Sequence, residues 1–183
     1  EHSVRIKPDY FEAYATLGGA FTPLRDWERS SSLLRDALKL QPGSAAAHAN
    51  QSMIQLALGD VREAERSARA AIAADPSLPE AHLNLGNALH AQEQWDGAIV
   101  AHREAIRLRP GFVPALSSLG NALKASDHLH QAEQAFRQAI VMDPSYFQAY
   151  SNLAITQRAL GRLDDALSTC RVALQKSPDH ADI

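Results

Sequence analysis

The sequence has few of the residues on which several protein classes depend. It contains one cysteine, Cys170, which excludes an internal disulfide framework and a cysteine-based zinc site and favours a reducing compartment. Its 18 lysines and arginines face 21 aspartates and glutamates, and the formal net charge of −3 argues against a nucleic-acid ligand. No apolar run reaches the roughly 18 residues of a membrane-spanning helix. We therefore predict a cytoplasmic protein that binds neither membrane nor nucleic acid.

Patterns of catalysis and metal binding are absent as well. There is no glycine-rich phosphate loop, no nucleophile elbow and no pair of carboxylates at a catalytic spacing. His128 and His130 flank Leu129, but no third ligand stands near them, so surface histidines are expected rather than a metal site. The sequence predicts no catalytic residue, no metal and no cofactor.

What the sequence does contain is a repeat. Prolines recur every thirty-four residues, at Pro8, Pro42, Pro76, Pro110, Pro144 and Pro178. Two alanine series keep the same step, namely Ala13, Ala47, Ala81, Ala115 and Ala149, and Ala37, Ala71, Ala105, Ala139 and Ala173. Such a fixed period indicates a chain built from copies of one supersecondary unit.

Each unit contains two helical patterns. In the stretch "AHLNLGNALH", Ala81, Leu85 and Leu89 fall on one face at the helical period. Small residues at fixed positions let paired helices approach closely. Leu-Gly pairs early in the unit (Leu17-Gly18, Leu85-Gly86, Leu119-Gly120), a midway alanine and a final proline make the repeat resemble the tetratricopeptide repeat. The resemblance implies an all-α fold, a right-handed α-solenoid of stacked helix-turn-helix units.

The period divides the chain into five full units. Their bounds are 11–44, 45–78, 79–112, 113–146 and 147–180. Residues 1–10 match the end of a preceding repeat, and residues 181–183 the start of a further repeat or a tail. The residues after the repeat prolines are of helix N-cap type, namely Asp9, Gly43, Ser77, Gly111, Ser145 and Asp179. Ser77 with Glu80 and Asp60 with Glu63 predict capping boxes.

The first helices of such units normally form a concave groove, in which repeat proteins bind their ligands. Positions opposite the core face carry Asn50, Asn84 and Asn152, and Asn87 and Asn121 stand three residues further along. Because an amide both donates and accepts, these asparagines suit the main chain of an extended peptide. Alternatively, they are solvated or bond one another. A second series of His90, Lys124 and Arg158 would favour acidic ligands, or would only be helix-end cations stabilised by the dipole.

The second unit departs from the pattern. Gln51, Ser52 and Gln55 replace the usual leucine, glycine and large apolar residue. Buried amides are costly unless paired, so this unit is either a softer joint or one in which the amides bond locally. Cys170 occupies the position of Leu34 and Phe136 and is expected to be a buried, inert thiol.

Two functions follow. The first is a protein-interaction scaffold that binds an extended peptide or a helix of a protein partner in the groove. The second comes from a closer resemblance: "AHLNLGNAL", "AIVAHREAIRLRPGF" and the asparagines are similar to the repeat half of O-linked N-acetylglucosamine transferases and of bacterial repeat-glycosyltransferase proteins. That resemblance implies a substrate-recognition segment of a larger enzyme. Uncovered ends of a solenoid also predict self-association.

Overall fold

The computed structural model describes residues 26–176. This range contains nine α-helices and no β-strand, which confirms the all-α prediction. The helices are α1 (Trp27–Leu40), α2 (Ala45–Leu58), α3 (Val61–Ala74), α4 (Pro79–Ala91), α5 (Trp95–Leu108), α6 (Val113–Ala125), α7 (Leu129–Met142), α8 (Phe147–Ala159) and α9 (Leu163–Lys176). The predicted repeat end at 1–10, the first helix of the unit 11–44 and the tail 181–183 lie outside the described residues, as do Pro8, Pro178, Asp9 and Asp179.

The helices form two compact units. In the described range, the N-terminal unit comprises residues 26–92 with α1 to α4, and the C-terminal unit comprises residues 93–176 with α5 to α9. Within each unit, every helix packs against the next one in the chain. The first helices of successive repeats also touch, α2 with α4 and α6 with α8. Among the described helices, none is long and apolar enough to cross a bilayer.

The repeat proline explains why each second helix ends where it does. In α1, α3, α5 and α7 the last helical hydrogen bond runs from the residue before the proline to an alanine carbonyl four residues earlier, as from Asp75 N to Ala71 O at 2.8 Å. Proline lacks the N–H that would continue this series. The chain therefore turns at the same point in each copy.

The predicted N-caps are wrong by one residue. The caps are Ser44, Leu78, Phe112 and Tyr146, each one position later than Gly43, Ser77, Gly111 and Ser145. The predicted capping box at Ser77 does not form, because Ser77 lies one residue before the N-cap Leu78; its Oγ donates to Asp75 Oδ1 at 2.7 Å within the loop. Asp60 does cap α3, but its side chain makes no capping hydrogen bond.

The carbonyl of the repeat proline is also hydrogen-bonded to a side chain of the following first helix in several repeats. Rings of His48 and His82 hydrogen-bond the carbonyls of Pro42 and Pro76 at 2.8 and 2.9 Å, and Tyr150 Oη donates to Pro144 O at 3.3 Å. Three side chains at one repeat position thus tie the first helix to the preceding loop. The two histidines are structural.

Alanines form the common core of both units. The series Ala37, Ala71, Ala105, Ala139 and Ala173 is fully buried, and so are the midway alanines Ala64, Ala98 and Ala132. Larger residues fill the space that these leave. In the C-terminal unit Phe136 is fully buried, and a Cβ placed on Gly120 would lie 2.5 Å from its ring. Glycine is therefore required where α6 meets Phe136 of α7.

Polar residues take over this filling in the second repeat. Gln51 Nε2 donates to Ser31 Oγ at 2.9 Å, Ser52 Oγ donates to Ala64 O at 2.7 Å, and Ser67 Oγ donates to Gln55 Oε1 at 2.7 Å. Gln51 and Gln55 are thus hydrogen-bonded to the neighbouring helices, as one of the two alternatives for this repeat expected, but Gln51 Oε1 is left without a partner.

Candidate functional site

The first helices of the N-terminal unit present a polar surface, the N-terminal face, formed by Asn50, Met53, Asn84, Asn87 and His90 of α2 and α4. These helices lie side by side because small residues such as Ala49 and Ala81 are buried where they meet. Asn50, Asn87 and His90 are half-buried, and Met53 is exposed. The face therefore combines amide groups with one exposed apolar side chain.

Asn84 differs from the other asparagines of this face. Its side chain is only 8% exposed, and its Nδ2 donates to Ala49 O of α2 at 2.8 Å. The hydrogen bond joins two successive repeats. Asn84 therefore positions α4 on α2, and its carbonyl and second N–H remain for other contacts.

The C-terminal unit has an equivalent surface, the C-terminal face, formed by Asn121, Lys124, Asn152, Ile155 and Arg158 of α6 and α8. Asn121 and Lys124 lie one helical turn apart on α6 and are half-buried. Lys124 Nζ donates to Asn152 Oδ1 of α8 at 3.4 Å. The structure thus brings three of the predicted residues together on two adjacent helices.

The electrostatics of Lys124 follow from this geometry. Burial lowers the pKa of the Lys124 ammonium from its ordinary value. No described residue supplies a carboxylate within salt-bridge distance of Nζ; its hydrogen-bond acceptor is the neutral amide of Asn152. A partly desolvated cation with only a neutral partner is stabilised by an incoming anion.

Arg158, in contrast, does not join the Lys124 pair through a contact in the structure. It is exposed at the end of α8, where it lines an apolar groove of about 470 Å³ with Ile155, Leu163 and Leu167. Cys170 lies in the same groove and is half-buried, so the expectation of a buried thiol is wrong. The reason is that no described helix covers this side of α8 and α9. Self-association through such a surface stays a prediction.

Sequence reasoning missed the apolar members of the two faces. Met53 is 37% exposed and Ile155 is 45% exposed, and they stand thirty-four residues before Asn87 and after Asn121. The signal was the repeat spacing itself, since the position that carries asparagine in two repeats carries an apolar residue in the flanking two.

Chemically, the two faces suit recognition. Half-buried amides offer donors and acceptors to a main chain, and exposed apolar side chains offer contact area. Within residues 26–176 no group of three or more histidines, cysteines, aspartates or glutamates is arranged to hold a metal ion. Helices that pack in pairs with a thirty-four-residue period define a helical repeat protein.

The family can now be stated. A family model for the tetratricopeptide repeat matches residues 50–111 and 118–181, which is more than half of the chain. The protein belongs to the tetratricopeptide repeat (TPR) family, whose domains generally bind proteins or peptides. A comparison with curated proteins finds no match.

Solved structures agree on the fold. TTC0263, a thermophilic TPR protein of Thermus thermophilus, is 23% identical, with 94% of each chain covered and a TM-score of 0.82. PilF of Pseudomonas aeruginosa is 22% identical over 91% of this chain and 76% of its own, with a TM-score of 0.82. YrrB, described as a TPR protein with an unusual peptide-binding site, is 22% identical over 91% of this chain and 86% of its own, with a TM-score of 0.69. Identities at this level support a shared fold alone.

Proposed function

We propose that this protein is an interaction scaffold that binds an extended peptide or a helix of a protein partner across the first helices of its repeats. The observation that carries the proposal is the cluster of Asn121, Lys124 and Asn152 on the adjacent helices α6 and α8. All three side chains are half-buried, so a ligand that contacts them is partly shielded from water. The partner, on this view, is a protein in the same compartment, for which we propose the cytoplasm.

The amide groups supply the contacts to the main chain. The side chains of Asn87 and Asn121 make no hydrogen bond to another residue of the described range, and Asn152 uses only its carbonyl, toward Lys124. An unused amide can donate to one peptide carbonyl and accept from one peptide N–H. Such pairing is independent of the ligand's side chains, so it supplies affinity for extended peptides in general.

Lys124 adds selectivity. Its ammonium lies beside the Asn152 carbonyl and lacks a carboxylate partner, so a ligand with an acidic side chain gains a charge-assisted hydrogen bond there. A basic side chain at the same place would meet both like charge and desolvation. The C-terminal face therefore favours acidic segments.

The alternative is that these repeats recognise substrates for a glycosyltransferase carried elsewhere in a larger protein. Neither the family match nor the three solved structures supports the resemblance on which this alternative depends. The segment itself is proposed to be non-catalytic. We therefore propose the scaffold function.

A peptide selection tests the proposal. The purified protein is used to select binders from a display library of random twelve-residue peptides, and the affinity of the best synthetic peptide is measured by fluorescence anisotropy. We expect Asn121→Ala and Lys124→Gln each to weaken binding by about fivefold, because each removes a contact worth about 1 kcal/mol.

Controls separate the face from the rest of the molecule. Gln134→Ala changes an exposed amide of α7, which is not a first helix, and should leave the affinity unchanged. Asn84→Ala is unsuitable as a sole test, because it also removes the hydrogen bond to Ala49 O. Equal affinities for the wild type and for a protein with Asn87, Asn121 and Lys124 all replaced would refute the proposal.

A further inference from the structure

A second groove lies in the N-terminal unit, away from the first-helix face. It has a volume of about 480 Å³ and lies where α1, α2 and α3 meet. Its lining contains three acidic residues among neutral polar, basic and apolar ones: Glu28, Ser31 and Arg35 from α1, Gln51, Gln55 and Leu58 from α2, Asp60 at the N-cap of α3, and Glu63 from α3. None of these residues belongs to the N-terminal face.

The floor of this groove contains an unpaired polar group. Gln51 is 4% exposed, its Nε2 donates to Ser31 Oγ at 2.9 Å, and its Oε1 has no hydrogen-bond partner. Turning the amide over exchanges the two atoms but still leaves one of them unpaired, because Ser31 Oγ meets only one. An unpaired buried carbonyl of this kind costs about 1–3 kcal/mol, and a donor brought into the groove removes that cost.

The C-terminal unit fills the same position with an ion-pair cluster, in which Arg162 Nε has no hydrogen-bond partner among the described residues. Three repeat lengths further on, Glu133 replaces Ser31, Leu153 replaces Gln51 and Arg162 replaces Asp60. There the guanidinium of Arg162 binds the buried carboxylate of Glu133, and Arg137 Nη2 donates to the same carboxylate at 2.9 Å. The C-terminal unit therefore carries its own cation at this place.

The N-terminal unit has an acidic residue, Asp60, at the repeat position that carries Arg162 in the C-terminal unit. Glu28 and Glu63 lie beside it, and Arg35 is the basic residue of the lining. Arg35 Nε donates to the main-chain Ser31 O at 3.4 Å, and Glu63 pairs with exposed Arg66. Glu28 and Asp60 have no ion-pair partner among residues 26–176.

We propose that this groove binds a basic side chain of a protein or peptide partner, foremost an arginine. The guanidinium takes the place that Arg162 holds in the C-terminal unit, donates to Asp60 and Glu28, and supplies a donor to the Gln51 carbonyl. A planar guanidinium with five donors matches several acceptors at once, which a compact ammonium does not. A divalent ion is the poorer occupant, since the described acidic residues form no metal-holding group.

The test is a titration of the 15N-labelled protein with a designed peptide. The probe is an acetylated and amidated Gly-Ser repeat that carries two arginines, and the matched control peptide carries two citrullines, which are neutral and of the same shape. We expect only the arginine peptide to shift the Gln51 side-chain amide signal and the backbone amides of Asp60 and Glu63. We also expect the lysine version of the peptide to bind about fivefold more weakly.

Two variants show whether the charge at position 60 is responsible. Asp60→Arg installs the residue of the C-terminal unit and should weaken binding at least about tenfold through like-charge repulsion, whereas Asp60→Asn should weaken it about fivefold. Neither change removes a capping hydrogen bond, because Asp60 makes none. Asp164→Arg makes the same charge change in the first turn of α9 and should leave binding unaltered.

Three results would overturn the proposal. The first is equal binding of the citrulline peptide, and the second is an equal loss of affinity in the Asp164→Arg control. The third is a set of shifts confined to Asn121 and Lys124, which would assign the peptide to the first-helix face instead. Binding of free argininamide as tight as that of the peptide would replace a peptide partner by a small cationic ligand.

Discussion

The two units build the same helix pairs but fill them with different side chains. Both units bury apolar and polar residues, and the clearest difference lies at one pair of repeat positions. In the N-terminal unit these positions carry the buried Gln51 and Ser52, whereas in the C-terminal unit they carry Leu119 and Gly120, with Gly120 facing the fully buried Phe136. Both units keep the fully buried alanines. The difference teaches that close helix approach depends on the alanines, while the remaining volume accepts either hydrogen-bonded polar groups or apolar ones.

The polar filling has a consequence for function. It leaves an acidic groove with an unpaired amide carbonyl in the N-terminal unit, where the C-terminal unit closes the equivalent place with Arg162, Glu133 and Arg137. The comparison therefore separates a unit whose own arginine binds the buried carboxylate at this surface from one that has no arginine there, where we propose that a partner supplies the cation.

The largest expected effect concerns the apolar filling. Phe136→Ala should lower the free energy of unfolding by about 3–5 kcal/mol, because it opens a cavity in a fully buried site. Urea denaturation followed by circular dichroism measures it. Phe136→Leu is the conservative control, and a loss below about 1 kcal/mol for the alanine variant would contradict the tight packing around this ring.

A smaller effect is expected at the glycine that faces this ring. Gly120→Ala should cost about 1–3 kcal/mol, because the added methyl overlaps Phe136. The matched change in the N-terminal unit, Ser52→Ala, removes only the hydrogen bond to Ala64 O and should cost about 1 kcal/mol. Combining Gly120→Ala with Phe136→Leu should recover part of the loss; strictly additive losses would show that the two positions do not interact.

The ion-pair cluster of the C-terminal unit should make its stability depend on pH. Burial of Glu133 disfavours its carboxylate, but the hydrogen bonds from Arg137 and Arg162 outweigh this and lower the pKa of Glu133. A lowered pKa gives stability that is present above the ordinary value of 4.5 and is lost as the pH falls through the folded-state value. Glu133→Gln should cost about 1–3 kcal/mol at neutral pH and flatten the acid side of the stability curve.

This prediction has its control in the other unit. Ser31 stands at the position of Glu133, so Ser31→Ala should leave the acid dependence of stability unchanged. An unaltered acid profile for Glu133→Gln would show that the cluster does not stabilise the fold.

Replacing Gln51, whose side-chain carbonyl is unpaired, tests how much this buried polar residue costs in stability. Gln51→Leu, which copies Leu153, should be neutral or raise stability by up to about 1 kcal/mol, since an apolar residue needs no hydrogen bond. Gln51→Ala is the contrasting variant, because it leaves a cavity as well. If Gln51→Leu markedly lowers the free energy of unfolding, the hydrogen bond from Gln51 to Ser31 contributes more than the unpaired carbonyl costs.

The smallest expected effect is a pKa change in the loop before a first helix, and it should be the same in both units. Hydrogen bonds from the side chain and main chain of Ser77 lower the pKa of Asp75, and those of Ser145 lower the pKa of Asp143. Ser77→Ala and Ser145→Ala should each raise the pKa of the neighbouring aspartate toward its ordinary value. NMR titration of the two carboxyl signals measures this, and a change in one loop alone would break the equivalence of the repeats.

Much of the fold followed from periodicity, and its failures are local. The thirty-four-residue period correctly predicted paired helices with alanines between them, because burying one stripe of each helix constrains every copy equally. At Ser77 the N-cap was misplaced because its hydroxyl donates to Asp75 within the loop and does not accept from the first turn of the helix, a difference that spacing does not reveal. The candidate site was less predictable. Asn84 and Asn87 lie three residues apart on the same helix, but only Asn84 donates a hydrogen bond to Ala49 O of the preceding repeat.

By itself, the sequence determined the repeat, the helices and the alanine core, since these depend on spacing along a single helix and on side-chain size. The tertiary structure alone decided which polar groups are hydrogen-bonded and which remain available, as with Asn84 against Asn87 and the two amide atoms of Gln51. The reason is physical: whether a polar atom finds a partner depends on another helix, 20 residues away for Gln51 and Ser31 and 35 for Asn84 and Ala49, and on the distance at which that helix packs.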